Sequence, residues 1–169
     1  MQQPGRLFFF CGKMGAGKST RSTLLAADYN AVRISEDEWL AAHYPGQIQT
    51  FDEYLALSKT IKPFVKGHVQ QILLSGVHVV MDFPANTKSQ RAWFKTLCAE
   101  VNCAHQLIFL DLTDEQCLSQ LAKRRLEQPQ RAHFDNAQVF AHVSSFFEPP
   151  QDDEQLNILH VANSSVQHA

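Results

Sequence analysis

The stretch of the chain with the clearest chemical meaning is residues 12–19, which spell GKMGAGKS. Glycines at these spacings let successive backbone N–H groups point at one anion, beside the positive end of a helix dipole. The ammonium group of Lys18 suits β- and γ-phosphates, and the Ser19 hydroxyl suits a magnesium ion. We therefore predict a nucleotide phosphate site. Its residues are Gly12, Met14, Gly15, Ala16, Gly17, Lys18, Ser19 and Thr20.

The segments on both sides of this loop are those that a phosphate-binding loop requires. Leu7–Cys11 is an apolar run of the kind found in parallel strands that are buried on both faces. Residues 19–29 favour a helix, with Leu24 and Leu25 on its apolar side. Strand, glycine loop and helix follow in the order that distinguishes the motif from a chance match in a turn.

Helix starts are marked by a repeated capping-box pattern, in which Ser or Thr is followed three residues later by Glu or Gln. Boxes directly follow the strand candidates at residues 31–34, 77–82 and 107–112. With the first strand and a last one near residues 156–161, the pattern predicts an α/β fold in which helices cover both faces of a five-stranded parallel sheet. The boxes are Ser35 with Glu38, Thr50 with Glu53, Thr87 with Gln90, and Thr113 with Gln116.

The longest helix candidate is Phe51–Leu74, which we expect Pro63 and Gly67 to kink or divide. This segment either covers the sheet or contributes an acceptor-binding element, and the sequence leaves both roles open. Residues 149–154, with two prolines before an acidic run, are predicted to form an exposed connection into the last strand.

Asp82 ends an apolar run and gives a Walker-B-like pattern. Ligands of open parallel sheets bind outside the carboxyl ends of the strands, so Asp82 is expected beside the glycine loop. There it would hold magnesium together with Ser19, directly or through the water shell of the ion. The alternative is an ordinary carboxylate at a helix N-terminus.

Asp37 follows the second strand, in an acidic triplet at residues 36–38. Acidic residues in a first helical turn interact favourably with the helix dipole, which is the structural interpretation of the triplet. The position also suits a base that orients an acceptor hydroxyl and takes its proton. We therefore predict Asp37 as a catalytic residue.

A basic segment follows the fourth strand, with Lys123, Arg124 and Arg125 and then Arg131. Phosphoryl transfer spreads negative charge over equatorial oxygens, so a mobile basic lid over the triphosphate would lower the barrier. We place this lid at residues 123–134 and select Arg124 and Arg131 as catalytic, with Arg124 also contacting the nucleotide. The alternative is a solvated helix end that terminates at residues 128–130.

Length and composition indicate one domain over residues 1–169, with 44% hydrophobic residues to build a core. The net charge of −2 gives no overall attraction toward nucleic acid or anionic membranes. No apolar run approaches a membrane span, so we expect a cytoplasmic protein. The four cysteines form no CxxC pair, and Cys11 is expected to be buried in the first strand.

Missing motifs narrow the class of nucleotide-binding protein. No NKxD sequence selects guanine, and Asp82 begins DFPA instead of DxxG, so a regulatory GTPase is not favoured. The sequence LSG at residues 74–76 is not a transporter-type LSGGQ signature. We expect adenine as the base, with Ala162 and Asn163 as weak candidates for the loop beside it.

At this point the chain resembles the small P-loop kinases, also described as predicted kinases or AAA-type ATP-binding domains. This family lies near polynucleotide 5′-kinases, chloramphenicol phosphotransferase and zeta toxins. The similarity spans nearly the whole chain. It rests on GKMGAGKST at residues 12–20, ISED at 34–37, VVMDFPANT at 79–87 with Arg91 after it, and FFEPPQDDE at 146–154.

The resemblance implies a sheet order of 2-3-1-4-5, a requirement for ATP and Mg²⁺, Asp37 as general base or acceptor ligand, and lid arginines at Arg124, Arg125 or Arg131. Two departures matter. Leu40 stands where many relatives have an arginine that grips the acceptor, and residues 117–120 lack the arginine that commonly begins the lid helix. An acceptor that carries a phosphate, as in polynucleotide 5′-phosphorylation, is therefore less supported.

Our leading hypothesis is an ATP-dependent phosphotransferase that moves the γ-phosphoryl group to a hydroxyl of a small acceptor. The rival is an ATPase or nucleotide-dependent switch that acts through a protein partner. In this rival hypothesis, four aromatic residues would form the interface with the partner. We otherwise expect these residues to pack a helix against the sheet. A nucleic-acid 5′-hydroxyl kinase is a third hypothesis and would need a basic groove that the sequence does not display. The aromatic residues are Phe134, Phe140, Phe146 and Phe147.

Overall fold

The computed structural model describes residues 2–162. The strands are β1 (Leu7–Cys11), β2 (Val32–Ser35), β3 (Val79–Pro84), β4 (His105–Asp111) and β5 (Ile158–Ala162). The α-helices are α1 (Lys18–Asp28), α2 (Glu36–His43), α3 (Phe51–Leu74), α4 (Lys88–Val101), α5 (Asp114–Glu127) and α6 (Ala137–Ser144). Short 3₁₀ turns lie at Pro129–Arg131 and Asp152–Glu154.

The five strands form one parallel sheet in the order β2-β3-β1-β4-β5, which confirms the predicted fold class and the order implied by the resemblance. All of β1 is buried because it pairs with a strand on each side and is covered on both faces. Cys11 lies in the core, as predicted.

The side chains of β1 alternate between two hydrophobic clusters, as the period of a strand requires. Phe9 packs with Val65 of α3 and with Phe94 of α4, whose ring stacks on it at 4.4 Å. Phe8 and Phe10 face the other side, where α1, α5 and α6 contribute apolar residues. The sheet is therefore the middle layer between two groups of helices.

Three predicted capping boxes are complete, at Thr50, Thr87 and Thr113. At the fourth, the Ser35 hydroxyl accepts from the Glu38 backbone N–H, but the Glu38 carboxylate accepts from the Arg33 guanidinium instead of returning to the cap. The spacing of Ser35 and Glu38 therefore predicted the helix start correctly, but it did not predict the group that the Glu38 carboxylate contacts.

The sequence predicts that Pro63 and Gly67 kink or divide the long helix; division is wrong, because α3 runs unbroken from Phe51 to Leu74. A proline inside a helix costs about 3 kcal/mol through its missing N–H and its steric clash. Val65, Val69 and Leu73 are fully buried on the same side of α3, and their packing on the sheet holds the helix together.

The connection before β5 is also less exposed than predicted. Glu154 is buried and accepts two hydrogen bonds from the guanidinium of Arg91, which is 1% exposed, at 2.8 and 3.1 Å. Arg91 also donates to the Ala85 carbonyl oxygen. An ion pair in the interior therefore fastens the connection to α4 and to the end of β3.

Removing one member of this pair leaves the other charge buried without its partner, which typically costs about 3–5 kcal/mol. We expect Glu154→Ala to lower the free energy of unfolding by that amount in urea titrations. Asp153→Ala is the matched control, because the neighbouring Lys88–Asp153 pair is more than half exposed on both sides and such pairs contribute about 1 kcal/mol or less. Equal losses in the two variants would contradict the assignment.

Candidate nucleotide and phosphoryl-transfer site

The loop between β1 and α1 takes a backbone conformation that depends on glycine. Gly17 caps α1 with φ of 93°, and Gly15 has φ of 79°, both in the left-handed region. A Cβ atom on Gly15 would lie 2.6 Å from the carbonyl oxygen of Cys117 in α5. Gly15 is therefore required both by its dihedral angle and by the close approach of α5.

Lys18 is the first residue of α1, and its Nζ donates to the Gly12 carbonyl oxygen at 2.7 Å. Burial among the surrounding protein groups lowers the pKa of Lys18, while the negative charges of Asp82 and Asp37 raise it. The ammonium is thus folded back over the loop, where it is partly buried. A phosphate bound there would meet a partly desolvated cation, which strengthens the attraction.

Asp82 lies within β3, the strand beside β1, so its carboxylate faces the start of α1. The Ser19 hydroxyl donates to Asp82 Oδ2 at 2.8 Å. Hydroxyl and carboxylate oxygens are hard donors of the kind that Mg²⁺ prefers. These two oxygens are also close enough to bind the same ion. The donor set therefore fits magnesium, held by the two side chains or through water.

Arg33 joins this site although the sequence did not indicate it. Its Nη2 donates to Asp82 Oδ2 at 3.2 Å, and its Nε donates to the hydroxyl of Ser22 at 2.8 Å. Ser22 is fully buried and donates in turn to the carbonyl oxygen of Ser19. Four side chains therefore link β2, β3 and α1 in one ring. A charged residue inside a short apolar strand was the available signal.

Asp37 lies in the first turn of α2, at the same edge of the sheet as Asp82. Its side chain is exposed, yet burial by the surrounding protein is the largest cause that raises its pKa, and Asp82 raises it further. The Asp37 carboxyl group is therefore accessible, and it lies near enough to Asp82 for the two charges to interact. The cations of Arg131, Lys18 and Arg124 oppose the rise in this pKa.

The residue beside Asp37 is a buried anchor. Glu36 is 1% exposed and accepts hydrogen bonds from the hydroxyls of Tyr54 and Ser58, both in α3. Burial raises the pKa of Glu36, and these two hydrogen bonds oppose the rise. The anchor therefore fixes α3 against the start of α2, next to Asp37.

The basic segment brings Arg124 and Arg131 together on a residue that sequence reasoning missed. Asp135 has no exposed surface and accepts from Arg124 at 2.7 and 2.6 Å and from Arg131 at 2.9 Å. The i,i+4 spacing of Arg131 and Asp135 was the available signal. Both arginine side chains stay about one-third exposed, so the segment is more than the solvated helix end that the sequence left open.

Asn86 is a third residue that the sequence did not single out for the site, after Arg33 and Asp135. Its Oδ1 accepts from the backbone N–H of Gly12 at 2.9 Å. The Asn86 N–H donates to the Gln90 side chain, and its carbonyl oxygen accepts from the backbone N–H of Glu148. Asn86 therefore connects the glycine loop to the α4 cap and to the connection before β5.

The aromatic residues after the lid do not form one surface. Phe140 is buried beneath the sheet, whereas the Phe146 ring is 55% exposed. Phe147 packs between Phe109 and Lys13 of the glycine loop. Of the two candidates for the base-side loop, Ala162 ends β5 and Asn163 lies outside the described residues.

Comparison with known proteins shows the family to which the chain belongs. A family model described as an AAA domain matches residues 7–150 of the chain. No curated protein matches at a significant level.

Within residues 2–162, none of the helices combines the length and apolar character needed to cross a bilayer.

Solved structures show the same fold at low sequence identity. A putative kinase from Chloroflexus aurantiacus has a TM-score of 0.74 and 19% identity, covering 100% of this chain and 90% of that one. Kti12 from Chaetomium thermophilum, in complex with ADP-AlF3, has a TM-score of 0.65 and 17% identity, covering 95% and 92%. The Mycobacterium tuberculosis APS kinase CysC, in complex with AMPPNP and APS, has a TM-score of 0.60 and 16% identity, covering 96% and 91%.

The family match spans most of the chain and includes the glycine loop, Asp37, Asp82 and the arginines of the basic segment. The sheet order is that of the kinases named above, and the resemblance inferred from the sequence is confirmed at this level. The chain therefore belongs to the AAA domain family and has the fold of the small P-loop kinases.

Proposed function

We propose that the protein transfers the γ-phosphoryl group of ATP to a hydroxyl group of a small acceptor. The observation that carries the proposal is the grouping of charges around one cleft. Asp37 lies within electrostatic reach of Lys18, Arg124 and Arg131, and Asp82 shares the same surroundings. A base, a phosphate-binding loop and cations on the opposite side are the parts that phosphoryl transfer requires.

In the proposed reaction, the acceptor oxygen forms a bond to the γ-phosphorus as the bond from that phosphorus to the β–γ bridging oxygen breaks. ADP leaves with the bond's electron pair. The hydroxyl proton passes to the Asp37 carboxylate and then to solvent. The raised pKa of Asp37 helps the carboxylate to accept the proton.

Lys18, Arg124 and Arg131 would stabilise the charge that develops on the phosphoryl oxygens. When bound, magnesium would neutralise charge on the β- and γ-phosphates, and Ser19 and Asp82 would hold it. The backbone N–H groups of residues 12–20 would orient the phosphates, so that binding energy is used for alignment.

A small, uncharged acceptor is supported by the residues next to Asp37. Leu40 is 1% exposed and points into the core, so it offers nothing to an acceptor. The cations that face Asp37 are those assigned to ATP. Arg33, a further cation of the site, is paired with Glu38 and Asp82, so a phosphate-bearing acceptor such as a nucleic-acid 5′ end is less supported.

An ATPase switch that acts through a protein partner is the competing function. In that function the half-exposed ring of Phe146 would be part of the interface with the partner. The switch requires slow ATP hydrolysis without a phosphorylated acceptor. Transfer and hydrolysis are therefore separated by where labelled phosphate goes.

The first prediction concerns Asp37. With Mg²⁺, γ-labelled ATP and a small-molecule extract, the wild-type protein is expected to produce a labelled product. Asp37→Asn should reduce transfer by about 10²–10⁴-fold because the base is lost, with ATP binding retained. Lys18→Ala should abolish transfer, and Asp52→Asn, an exposed carboxylate of α3, is the control that should not change it. Label released only as phosphate, equally in wild type and Asp37→Asn, would favour the switch.

The same carboxyl group predicts the pH dependence of transfer. Asp37 must be ionised to accept a proton, and its pKa is raised by burial and by Asp82. The rate of transfer should therefore fall as the pH is lowered through a value above the ordinary aspartate pKa of about 3.9. Asp37→Asn should lack this acidic limb. A limb that persists unchanged in the variant would assign it to another group.

Asn86 gives a prediction for nucleotide binding. Asn86→Ala removes the acceptor for the Gly12 N–H and loosens the first residue of the loop. Calorimetry should show about tenfold weaker ATP binding, which corresponds to one hydrogen bond of about 1–1.5 kcal/mol. Asn157→Ala, at an exposed asparagine before β5, should leave the affinity unchanged. Equal affinities in the two variants would show that the Asn86 contact does not support the loop.

A further inference from the structure

Asp135 is the centre of a group of cations that belongs to the lid. The residue lies between the 3₁₀ turn at Pro129–Arg131 and the start of α6, and its carboxylate is fully buried. Its Oδ1 accepts from Arg124 Nη2, and its Oδ2 accepts from both Arg124 Nε and Arg131 Nε. Its backbone carbonyl oxygen accepts from Arg125 Nη1.

These contacts use one edge of each guanidinium and leave another edge available. Arg124 bonds Asp135 through Nε and Nη2, and Arg131 bonds it through Nε. Within residues 2–162, Arg124 Nη1 and both Nη atoms of Arg131 donate no hydrogen bond to a side chain or backbone oxygen of the protein. The six N–H groups on these three nitrogens are therefore available to a ligand.

The available charge lies beside the glycine loop, because α5, which carries Arg124, packs against that loop at Gly15 and Gly17. Arg131 and Arg124 also lie close enough to Asp37 to oppose the rise in its pKa. One carboxylate between two guanidinium groups leaves a net charge of one positive unit. Asp135 thus reduces the repulsion between the two arginines without cancelling their attraction for an anion.

We propose that Asp135 is a positioning residue, which holds Arg124 and Arg131 so that their free N–H edges receive the γ-phosphate of the bound nucleotide. This inference rests on the proposed function, in which the two arginines contact the phosphates. The lid arginines are accordingly placed before the nucleotide arrives, instead of being gathered from solvent by it. Such prior placement removes the cost of ordering two long side chains on binding.

A purely structural role for Asp135 makes a different prediction. The local backbone has its own hydrogen bonds, from the Asp135 N–H to the Arg131 carbonyl oxygen and from the Val139 N–H to the Asn136 side chain. These bonds do not need the Asp135 carboxylate. A residue that only stabilised the turn would change the affinities for di- and triphosphates equally, whereas a positioning residue changes the affinity for the triphosphate selectively.

The test compares AMPPNP with ADP by calorimetry in Mg²⁺, for wild type, Asp135→Asn, the double variant Arg124→Ala/Arg131→Ala, and the triple combination. Asp135→Asn should weaken AMPPNP binding about ten- to a hundredfold and change ADP binding less than threefold. It should have no further effect when both arginines are absent. Asp153→Asn, at an exposed carboxylate, is the control that should leave both affinities unchanged.

Different failures are distinguishable. If the double arginine variant binds AMPPNP and ADP like wild type, the arginines do not contact the γ-phosphate, and both their proposed role and the inference fall. If the double variant loses AMPPNP affinity while Asp135→Asn weakens both nucleotides equally or neither, only the inference falls. A wild-type protein that binds neither AMPPNP nor ADP would contradict the proposed function itself.

A measurement on the wild-type protein covers the case in which Asp135→Asn does not fold. The Nε–H signals of Arg124 and Arg131, assigned with Arg124→Lys and Arg131→Lys, should be slow in exchange with solvent in the free protein. They should remain so with AMPPNP, while the Nη signals shift. Nε–H bonds that break on AMPPNP binding would make Asp135 a competitor of the nucleotide and overturn the proposal.

Discussion

The site depends on one constraint: the backbone N–H groups after β1 must face an anion with no side chain in between. This constraint explains why the loop follows the central, fully buried strand, where its neighbours can hold it from both sides. α5 approaches so closely that Gly15 has no room for a Cβ atom. On the other side, Asn86 fixes the Gly12 N–H. The loop is thus held in shape by its neighbours in the fold.

Charges around the loop are arranged so that each has an opposite charge nearby. Arg33 meets Asp82, and Arg124 and Arg131 meet Asp135. An unpaired charge in a poorly solvated site lowers the stability of the fold. Pairing therefore allows many charged groups to lie together in this site. Lys18 differs from these arginines, because among the described residues its ammonium donates to the neutral carbonyl oxygen of Gly12 and not to a carboxylate. The remaining positive charge is available to phosphate oxygens.

Contacts distant from the chemistry hold the two sides of the cleft together. The buried Arg91–Glu154 pair fastens the connection before β5 to α4, and the Glu148 N–H returns to the carbonyl oxygen of Asn86. Beside Asp37, buried Glu36 fixes the start of α2 against α3. In each case a polar group in the interior is satisfied by a segment far away in sequence, which is how short loops gain a fixed position.

Local patterns in the sequence determined the strand–loop–helix at residues 7–28, the helix starts at Thr50, Thr87 and Thr113, and the parallel sheet, because strand period, glycine freedom and capping act over a few residues. The positions of Asp37 and Asp82 near one edge of the sheet followed from the rule for parallel strands. Tertiary structure alone decided the integrity of α3 around Pro63, the burial of Glu154, and the roles of Arg33, Asn86 and Asp135. Those features depend on which distant groups meet in three dimensions: packing energy outweighs a local helix preference, and a buried charge is stable only where its partner arrives.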